Sequence, residues 1–385
     1  MAKILIVSKY YYPFNGGIEE NVRYVAEYAA RFHEVTVVAS NHEPGNSEEE
    51  INGVRVLRRR VHLHAKGQPI CLFFLSGLRL GHYDLVHFHS PNPFANAVFL
   101  GLRLFSQKVP VVVTHHMDIF GRKFLRKVCL PFLHRLVRAA FVTVVTSKKN
   151  LTVSQDLPKS ANYTVVPLGV AQEDYQIDGE LREAAMVWRR SLSGDAPVVG
   201  FIGRHARYKG LLILMEALAL LPGVHAFIGG DGPYRKAAQE KALALGIQDR
   251  VHFFGRLDHH DKLKLLAALD VFAFPSTEIT EAFGISQMEA MMCGTPVVAS
   301  DLPTGVTDVA VDGRTALLVS PGDPAQLAEQ INRLIGDPAL AAELSAAART
   351  HILEKMTHAT VSRQMLSIFE AAMSGGPIGA GVRLI

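Results

Sequence analysis

From residue 3 to residue 320 the chain alternates short runs rich in β-branched and aromatic residues with longer stretches of helical spacing. Strands separated by helices cannot close as hairpins. They read as parallel strands joined by crossover helices, so this rhythm fixes the class as α/β. The expected strands of the first half are KILIVS (3–8), EVTVVAS (34–40), VRVLRR (54–59), LVHFHS (85–90), VPVVVTHH (109–116), FVTVVTS (141–147) and YTVVPLGV (163–170). Those of the second half are PVVGFIGR (197–204), VHAFIGG (224–230), RVHFFGR (250–256), VFAFPS (271–276), PVVAS (296–300) and TALLVS (315–320). A chain of 385 residues is too long for one ordinary core, so the pattern predicts two Rossmann-like doubly wound domains facing a cleft. Polar segments bearing Gly and Pro, AQEDYQIDGE (171–180) and RRSLSGDAP (189–197), place the boundary between domains over 1–185 and 190–354. A strong helical pattern at 355–373 follows the second sheet, and the tail SGGPIGAGVRLI is expected to be loose.

The longest apolar runs, ICLFFLSGLRL (70–80) and ANAVFLGLRLF (95–105), are broken by Arg79 and Arg103 well short of a membrane span. The N-terminal MAKILIVSKYYYP has too short an apolar core for a secretory signal and reads as the first strand. Cys71, Cys129 and Cys293 lie far apart without metal-ligand spacing, which fits a reducing, cytoplasmic setting. Charge is uneven: residues 1–190 hold 24 Lys and Arg against 16 Asp and Glu, and the remainder holds 16 against 20. The basic half is expected to meet something anionic. Much of that charge lies in DIFGRKFLRKVCLPFLHRLVRAA (118–140), where Arg122, Lys123, Arg126, Lys127, Arg135 and Arg138 alternate with apolar residues. This segment is either the solvated face of an amphipathic helix or an interfacial helix on anionic lipid, at the inner face of the plasma membrane. No nucleic-acid partner is expected.

Ligands of open α/β sheets bind beyond the carboxyl ends of the strands, and the chemistry-bearing residues can be sorted by that rule. After the first strand, KYYYPFNGGIEENV places Gly16 and Gly17 before a helix, a turn suited to a phosphate, although such pairs are commonly only turns. Neither a G-x-G-x-x-G nor a G-x-x-x-x-G-K-[ST] follows a strand here, which weighs against dinucleotide oxidoreductases and P-loop NTPases. VVVTHHMD ends the fifth strand with His115 and His116, which should project to opposite faces, one to the cleft and one into packing. FIGRHARYKG brings Arg204 and Lys209 together ahead of a helix opened by Gly210; a fork donor and a point-charge donor suit a diphosphate, or else are two solvated cations. No Asp-x-Asp is present to hold a divalent metal on a nucleotide diphosphate, so no metal or other cofactor is expected and the cations and helix ends must supply the charge.

TEAFGISQMEAMMCGTPVVAS (280–300) carries two acids, Glu281 and Glu289, in an otherwise apolar stretch. Unpaired acids are almost never buried, so something polar should meet them. Phe283-Gly284-Ile285 can start a helix whose free N–H groups face an anion, with Glu281 just ahead of it and Glu289 inside it; eight residues is just over two turns, which would put both carboxylates on roughly one side, matched to sugar hydroxyls, while the plainer reading is one capping and one lysine-paired glutamate.

In order along the chain, YYPFNGG, VTHH, PLGV (167–170), GRHARYKG, GGDGP (229–233), VHFFGR and EAFGISQMEAMMCGTPVVAS resemble the retaining, nucleotide-sugar-dependent glycosyltransferases of family four, which have the two-Rossmann GT-B architecture. The match covers almost the whole length, and its most specific element is the Glu, seven residues, Glu spacing. The resemblance implies an acceptor-side first domain, a nucleotide-sugar-binding second domain, and a closing helix that crosses back to the first. It implies that Arg204 and Lys209 bind the donor diphosphate, with Gly16, Gly17 and Gly230 in the donor-binding loops. Glu281 and Ala282 would line the transferred sugar, and the amides of Phe283, Gly284 and Ile285 would meet sugar and phosphate. Glu289 would take the ribose and Arg256 and Leu257 the base, while His116, rather than His115, would contact the donor sugar near the reacting carbon. Family members retain anomeric configuration by a front-face substitution that needs no protein nucleophile, so Glu281 is expected to position and stabilise.

THHMDIF is similar to the stretch found in bacterial mannosyltransferases of exopolysaccharide and O-antigen assembly, which implies GDP-mannose as donor and a lipid-linked or other glycan acceptor. Met117 stands where a small polar residue is frequent, which keeps a UDP-sugar open, and Ala316 stands where glycine is frequent. Two other classes compete: a non-hydrolysing nucleotide-sugar epimerase, expected to lack the EAFG segment, and a non-catalytic nucleotide-sugar-binding subunit, expected to lack Lys209, Glu281 or His116.

Overall fold

The structure is a computed structural model and describes residues 1–14, 16–65, 68–72, 74–103, 109–119 and 123–378. The chain divides into two compact units, one formed by Met1–Gly169 with the segment beginning at His358, the other by Val170–Thr357.

The first unit contains strands β1 (Lys3–Val7), β2 (Glu34–Ser40), β3 (Ser47–Ile51), β4 (Val54–Arg59), β5 (Leu63–Ala65), β6 (Gln68–Ile70), β7 (Leu85–Ser90), β8 (Val111–His115), β9 (Val142–Val145) and β10 (Tyr163–Val165). Eight of them form one sheet in the order β10-β9-β8-β7-β1-β2-β4-β3. Its pairings are parallel except for the edge strand β3, which runs antiparallel to β4. β1 shows no polar alternation because both its faces are covered. Ile4 and Ile6 pack with Val22, Val25 and Ala26 of the helix Gly17–Ala30, while Leu5 and Val7 pack with Phe99, Leu133 and Leu136. The helix His358–Ser374 joins the first of these faces through Val361, Met365 and Phe369 and lies along Gly17–Ala30. It is separate from the helix Pro338–Lys355, so the helical pattern expected from residue 355 begins after a break at Met356 and Thr357.

Three strands lie outside the expected set. β3 reads SEEEI, and β5 with β6 forms a short antiparallel pair. β3 pairs with β4 along an antiparallel ladder, Ile51 packs on the core, and Glu48 and Glu49 reach Arg55 and Arg58 of β4 at 2.6 and 2.5 Å.

The second unit contains β11 (Val198–Ile202), β12 (His225–Gly229), β13 (Val251–Gly255), β14 (Val271–Phe274), β15 (Val297–Ser300) and β16 (Leu317–Val319), all parallel in the order β13-β12-β11-β14-β15-β16. One face packs Val199 and Phe201 against Leu211, Leu214 and Leu218, and the other packs Val198 and Phe227 against Ala185, Leu265 and Ala268. Ala185 belongs to the helix Gly179–Ser193, which spans the expected boundary at 185–190 and lies wholly in this unit. Asp178 caps its start, Gly194 at φ +60° ends it, and Arg189 grips Asp270 at 3.0 and 2.6 Å. The division therefore falls at Gly169 and Val170, ahead of the polar stretch rather than after it.

Among the parallel strands of each sheet the order reverses at one place, between β1 and β7 and between β11 and β14. Binding edges of doubly wound sheets lie beyond the strand ends at that reversal. They are the loops after Val7 and Ser90 in one unit and after Ile202 and Phe274 in the other. Among the described residues no helix is long and apolar enough to cross a membrane. Arg122, the side chains of Arg103, Lys123, Phe124 and Leu125, and the tail from residue 379 lie outside the described residues.

Candidate active site

In the second unit the loop after β11 ends in a single turn, Arg207–Lys209, and Gly210 at φ +71° redirects the chain into the helix Leu211–Ala219. A Cβ on Gly210 would stand 1.8 Å from the carbonyl oxygen of Pro275, so only glycine lets this loop lie against the one after β14. The Thr277 N–H donates to the Tyr208 carbonyl at 2.7 Å and ties the two loops together. Between them Lys209 Nζ meets Glu281 Oε2 at 2.5 Å, with the side chains 14% and 9% exposed. Ser276 Oγ donates to the same oxygen at 3.0 Å. The Lys209 ammonium also lies 5.3 Å from the Phe274 ring centre, within cation–π range.

Glu281 is not on a helix. Its N–H donates to Glu278 O, its carbonyl accepts from Thr304 Oγ1 at 2.8 Å, and the helix Ile285–Met292 begins only after Gly284 at φ +83°. Glu281 thus stands ahead of the helix and Glu289 inside it, as expected, but helical spacing does not carry across Gly284, and each acid is placed by its own surroundings. Glu289 sits within the helix, where Tyr175 Oη and Lys262 Nζ donate to its Oε1 at 2.6 and 2.7 Å. Both acids of the apolar stretch are thus lysine-paired, which is how burial tolerates them. Phe283 is buried, the Ala282 carbonyl accepts from Gly305 N–H at 3.0 Å, and a Cβ on Gly284 would stand 2.6 Å from the Phe274 ring. No side chain caps the helix at Ile285, which leaves its first amides suited to an anionic or hydroxylic ligand.

Two further loops reach this edge. Gly230, at φ +108°, passes so close to Gly203 that a Cβ would lie 2.0 Å from the Gly203 carbonyl oxygen. Leu257 covers Gly229, and the neighbouring Arg256 is exposed. Arg204 is exposed too, and its guanidinium has no hydrogen-bond or ion-pair partner among the described residues. Among the described residues no three His, Cys, Asp or Glu side chains gather as a metal site.

In the first unit Gly16 is extended and Gly17 begins the helix Gly17–Ala30 without a side-chain cap. A Cβ on Gly16 would stand 2.2 Å from the Glu19 carboxylate, whose pKa burial raises. The loop before it is clamped by Arg58, 2% exposed, which donates to the carbonyls of Tyr11 and Tyr12 while pairing with Glu49.

His116 follows β8, and its N–H donates to Ser90 O at 2.9 Å. Neither adjacent histidine is exposed: His115 is 5% and His116 4% accessible. His115 Nε2 lies 3.3 Å from Asp118 Oδ1, whose carboxyl also accepts from Ser154 Oγ and Gln155 N–H. Burial opposes ionisation of Asp118, yet these bonds hold its pKa below the usual range. His116 Nε2 lies 2.9 Å from His89 Nδ1, and His87 Nε2 lies 2.8 Å from Thr114 Oγ1. Burial, reinforced by the neighbouring rings, pushes the pKa of His87 and His116 down to about 3 and that of His89 well below 6.5, so all three are neutral.

Sequence reasoning did not single out Ser276, Lys262, Tyr175, Arg58, His87 or His89. Tyr175 and Lys262 come to Glu289 from 114 and 27 positions away, a separation that carries no spacing signal. The His-x-His of HFHS did carry one, because alternate strand residues share a face.

Residues 15–174 match the family model "Glycosyltransferase Family 4", and residues 186–351 match "Glycosyl transferases group 1". The chain is 30% identical to the D-rhamnosyltransferase WbpZ of Pseudomonas aeruginosa, over 86% of its own length and 85% of that protein's. It is also 30% identical to the O-antigen chain mannosyltransferase C of Escherichia coli, over 86% and 88%. Its fold is similar to that of a sucrose-phosphate synthase from Thermosynechococcus elongatus, with a TM-score of 0.79 at 22% identity, covering 98% of this chain and 100% of that one. The fold is GT-B.

Proposed function

Because the chain belongs to the family-four glycosyltransferases, its second half matching the glycosyl transferases group 1 model, we propose that it moves mannose from GDP-mannose to a lipid-linked or other glycan acceptor in cell-surface polysaccharide assembly. That it is a glycosyltransferase follows from the membership itself.

The Lys209–Glu281 pair carries the finer reading. A desolvated cation and an acid, joined across two loops at the strand-order reversal, offer one group to a leaving diphosphate and one to sugar hydroxyls. Arg204, without a partner among the described residues, adds a fork donor for the same diphosphate. The uncapped start of the helix Ile285–Met292 supplies amides, so charge developing on the leaving group is met without a metal. Glu289 is proposed to take the ribose through its Oε2, since Tyr175 and Lys262 hold Oε1. Arg256 and Leu257 would border the base, and Gly16, Gly17 and His116 are proposed to serve the sugar and phosphate. Transfer with retention by front-face substitution fits an arrangement in which Glu281 is already committed to Lys209 and Ser276 and so acts by positioning rather than as a nucleophile.

Mannose as the transferred sugar is supported by the THHMDIF stretch and by the activity named for the Escherichia coli relative. Met117 keeps a UDP-sugar as the second reading. A panel of GDP- and UDP-sugars, read by thermal shift and by turnover, separates them: stabilisation and turnover by GDP-mannose alone is the expected result, and a response only to a UDP-sugar reverses the assignment.

Association with an anionic membrane surface is proposed through the helix Lys123–Ala139. Its outer face exposes Val128 at 49% and Phe132 at 41%, flanked by exposed Lys127, Arg135 and Arg138. Arg126 serves a different purpose, since it pairs with the fully buried Asp156 at 2.5 Å.

A further inference from the structure

His87 and His89 alternate on β7, so their rings share one face of the sheet, and they reach the carboxyl end of that strand beside His116. The ring centres of His87 and His89 are 4.2 Å apart, and those of His89 and His116 are 5.2 Å apart and nearly parallel. Phe369 closes the far side of His87 at 5.0 Å. All three imidazoles are less than 5% exposed. His89 Nε2 and His116 Nδ1 have no partner among the described residues.

Two neutral imidazoles that share the contact between His89 Nδ1 and His116 Nε2 can have only one proton there. If His116 is the donor, His89 keeps a buried N–H with nothing to receive it. If His89 is the donor, the N–H left over is on His116 Nδ1. An unpaired buried N–H is costly, so the pair is most useful when the leftover donor belongs to the residue that meets a ligand.

We propose that His89 is a positioning residue for His116: its Nδ1–H donates to His116 Nε2, fixing the ring and its tautomer so that His116 Nδ1–H is presented to a hydroxyl oxygen of the bound sugar. The inference rests on the reading that His116 contacts the donor sugar. A hydrogen-bonded neighbour that selects one tautomer leaves the other ring nitrogen with a defined role. His87, fixed by Thr114 Oγ1, packs behind His89 and limits its rotation.

The test uses His89→Phe, His89→Asn and His116→Ala in the full-length protein, with kcat, the donor KM, melting temperature and histidine ring 15N shifts measured for each. Asparagine can place an N–H near the position of Nδ1, and phenylalanine cannot. Expected results are a kcat reduced by about 10- to 100-fold in His89→Phe at a similar KM, substantial recovery in His89→Asn, and a His116 signal that changes from the Nδ1–H to the Nε2–H tautomer in His89→Phe. Wild-type kcat in His89→Phe, or a wild-type His116 with its proton on Nε2, overturns the proposal. His116→Ala separates the two readings: if it turns over at the wild-type rate, the role given to His116 is wrong. If it is impaired while His89→Phe is not, only the positioning role is wrong. Should His89→Phe fold poorly, the 15N tautomer of wild-type His116 decides alone.

Discussion

Lys209 and Glu281 are each other's counter-charge: Nζ and Oε2 stand 2.5 Å apart with little of either side chain open to water. Removing one leaves the other buried and uncompensated, at a cost of about 3–5 kcal/mol. Glu281→Ala and Lys209→Ala should therefore lose stability as well as activity. Glu281→Gln and Lys209→Met leave the same charge unpaired but keep the volume, so they spare only the packing part of that cost. Both are expected to lower kcat by at least about 100-fold, as read in a steady-state assay, with smaller shifts in denaturation midpoint than the alanine variants. Near-wild-type turnover in either would remove the pair from the chemistry.

Gly210 fixes how Lys209 reaches that acid. With φ at +71° and a Cβ contact of 1.8 Å to the Pro275 carbonyl, Gly210→Ala must push the two loops apart. Urea denaturation should show a loss of more than about 2 kcal/mol, and the donor KM should rise. Equal stability with an unchanged KM would show that the loops are not held together here.

Acid should destabilise the first unit through its buried histidines. His87, His116 and His358 have pKa values lowered to about 3 by burial, and His89 lies well below 6.5, so the unfolded chain binds protons that the folded chain refuses. Their contribution is present in full above pH 6.5 and is lost as pH falls from there toward 3, by up to about 1.4 kcal/mol per pH unit for each histidine. His358 stacks on Tyr24 with ring centres 3.7 Å apart. His358→Phe keeps that stack and should make the fall in melting temperature between pH 7 and pH 4 shallower; an identical slope would show that His358 is not held neutral.

Sedimentation with vesicles tests the outer face of the helix Lys123–Ala139. Val128→Ser with Phe132→Ser, and separately Lys127→Glu with Arg135→Glu, should each reduce binding to anionic vesicles, while neutral vesicles should bind weakly throughout. Binding unchanged in both double variants would remove the membrane from the account. Arg126 is left intact because its pair with Asp156 belongs to the fold.

Much of this was legible beforehand because strands buried on both faces read as short, nearly continuous apolar runs: KILIVS and EVTVVAS coincide with β1 and β2. β3 was not, since SEEEI is an edge strand whose four leading residues are exposed and which is held by its ladder to β4 and by Arg55 and Arg58. Lys209 and Glu281 could be picked out by their loops, but their mutual pairing could not, because it depends on how Gly210 lets one loop settle on the other. The helix Gly179–Ser193 looked like a linker because its outward face is polar, and its allegiance is set by Ala185 and by the Arg189–Asp270 pair.

Arg204 gives the cleanest probe of the central claim, because it is exposed and has no partner among the described residues to lose. Calorimetric titration of GDP-mannose and a UDP-sugar into wild type and Arg204→Ala, in excess chelator, measures whether this loop holds the donor diphosphate without a metal. The account predicts saturable binding by wild type and an affinity lower by roughly 10- to 100-fold in Arg204→Ala, the worth of a charged hydrogen bond, at an unchanged melting temperature. Equal affinity in the two proteins, or binding that appears only when a divalent cation is restored, would contradict it.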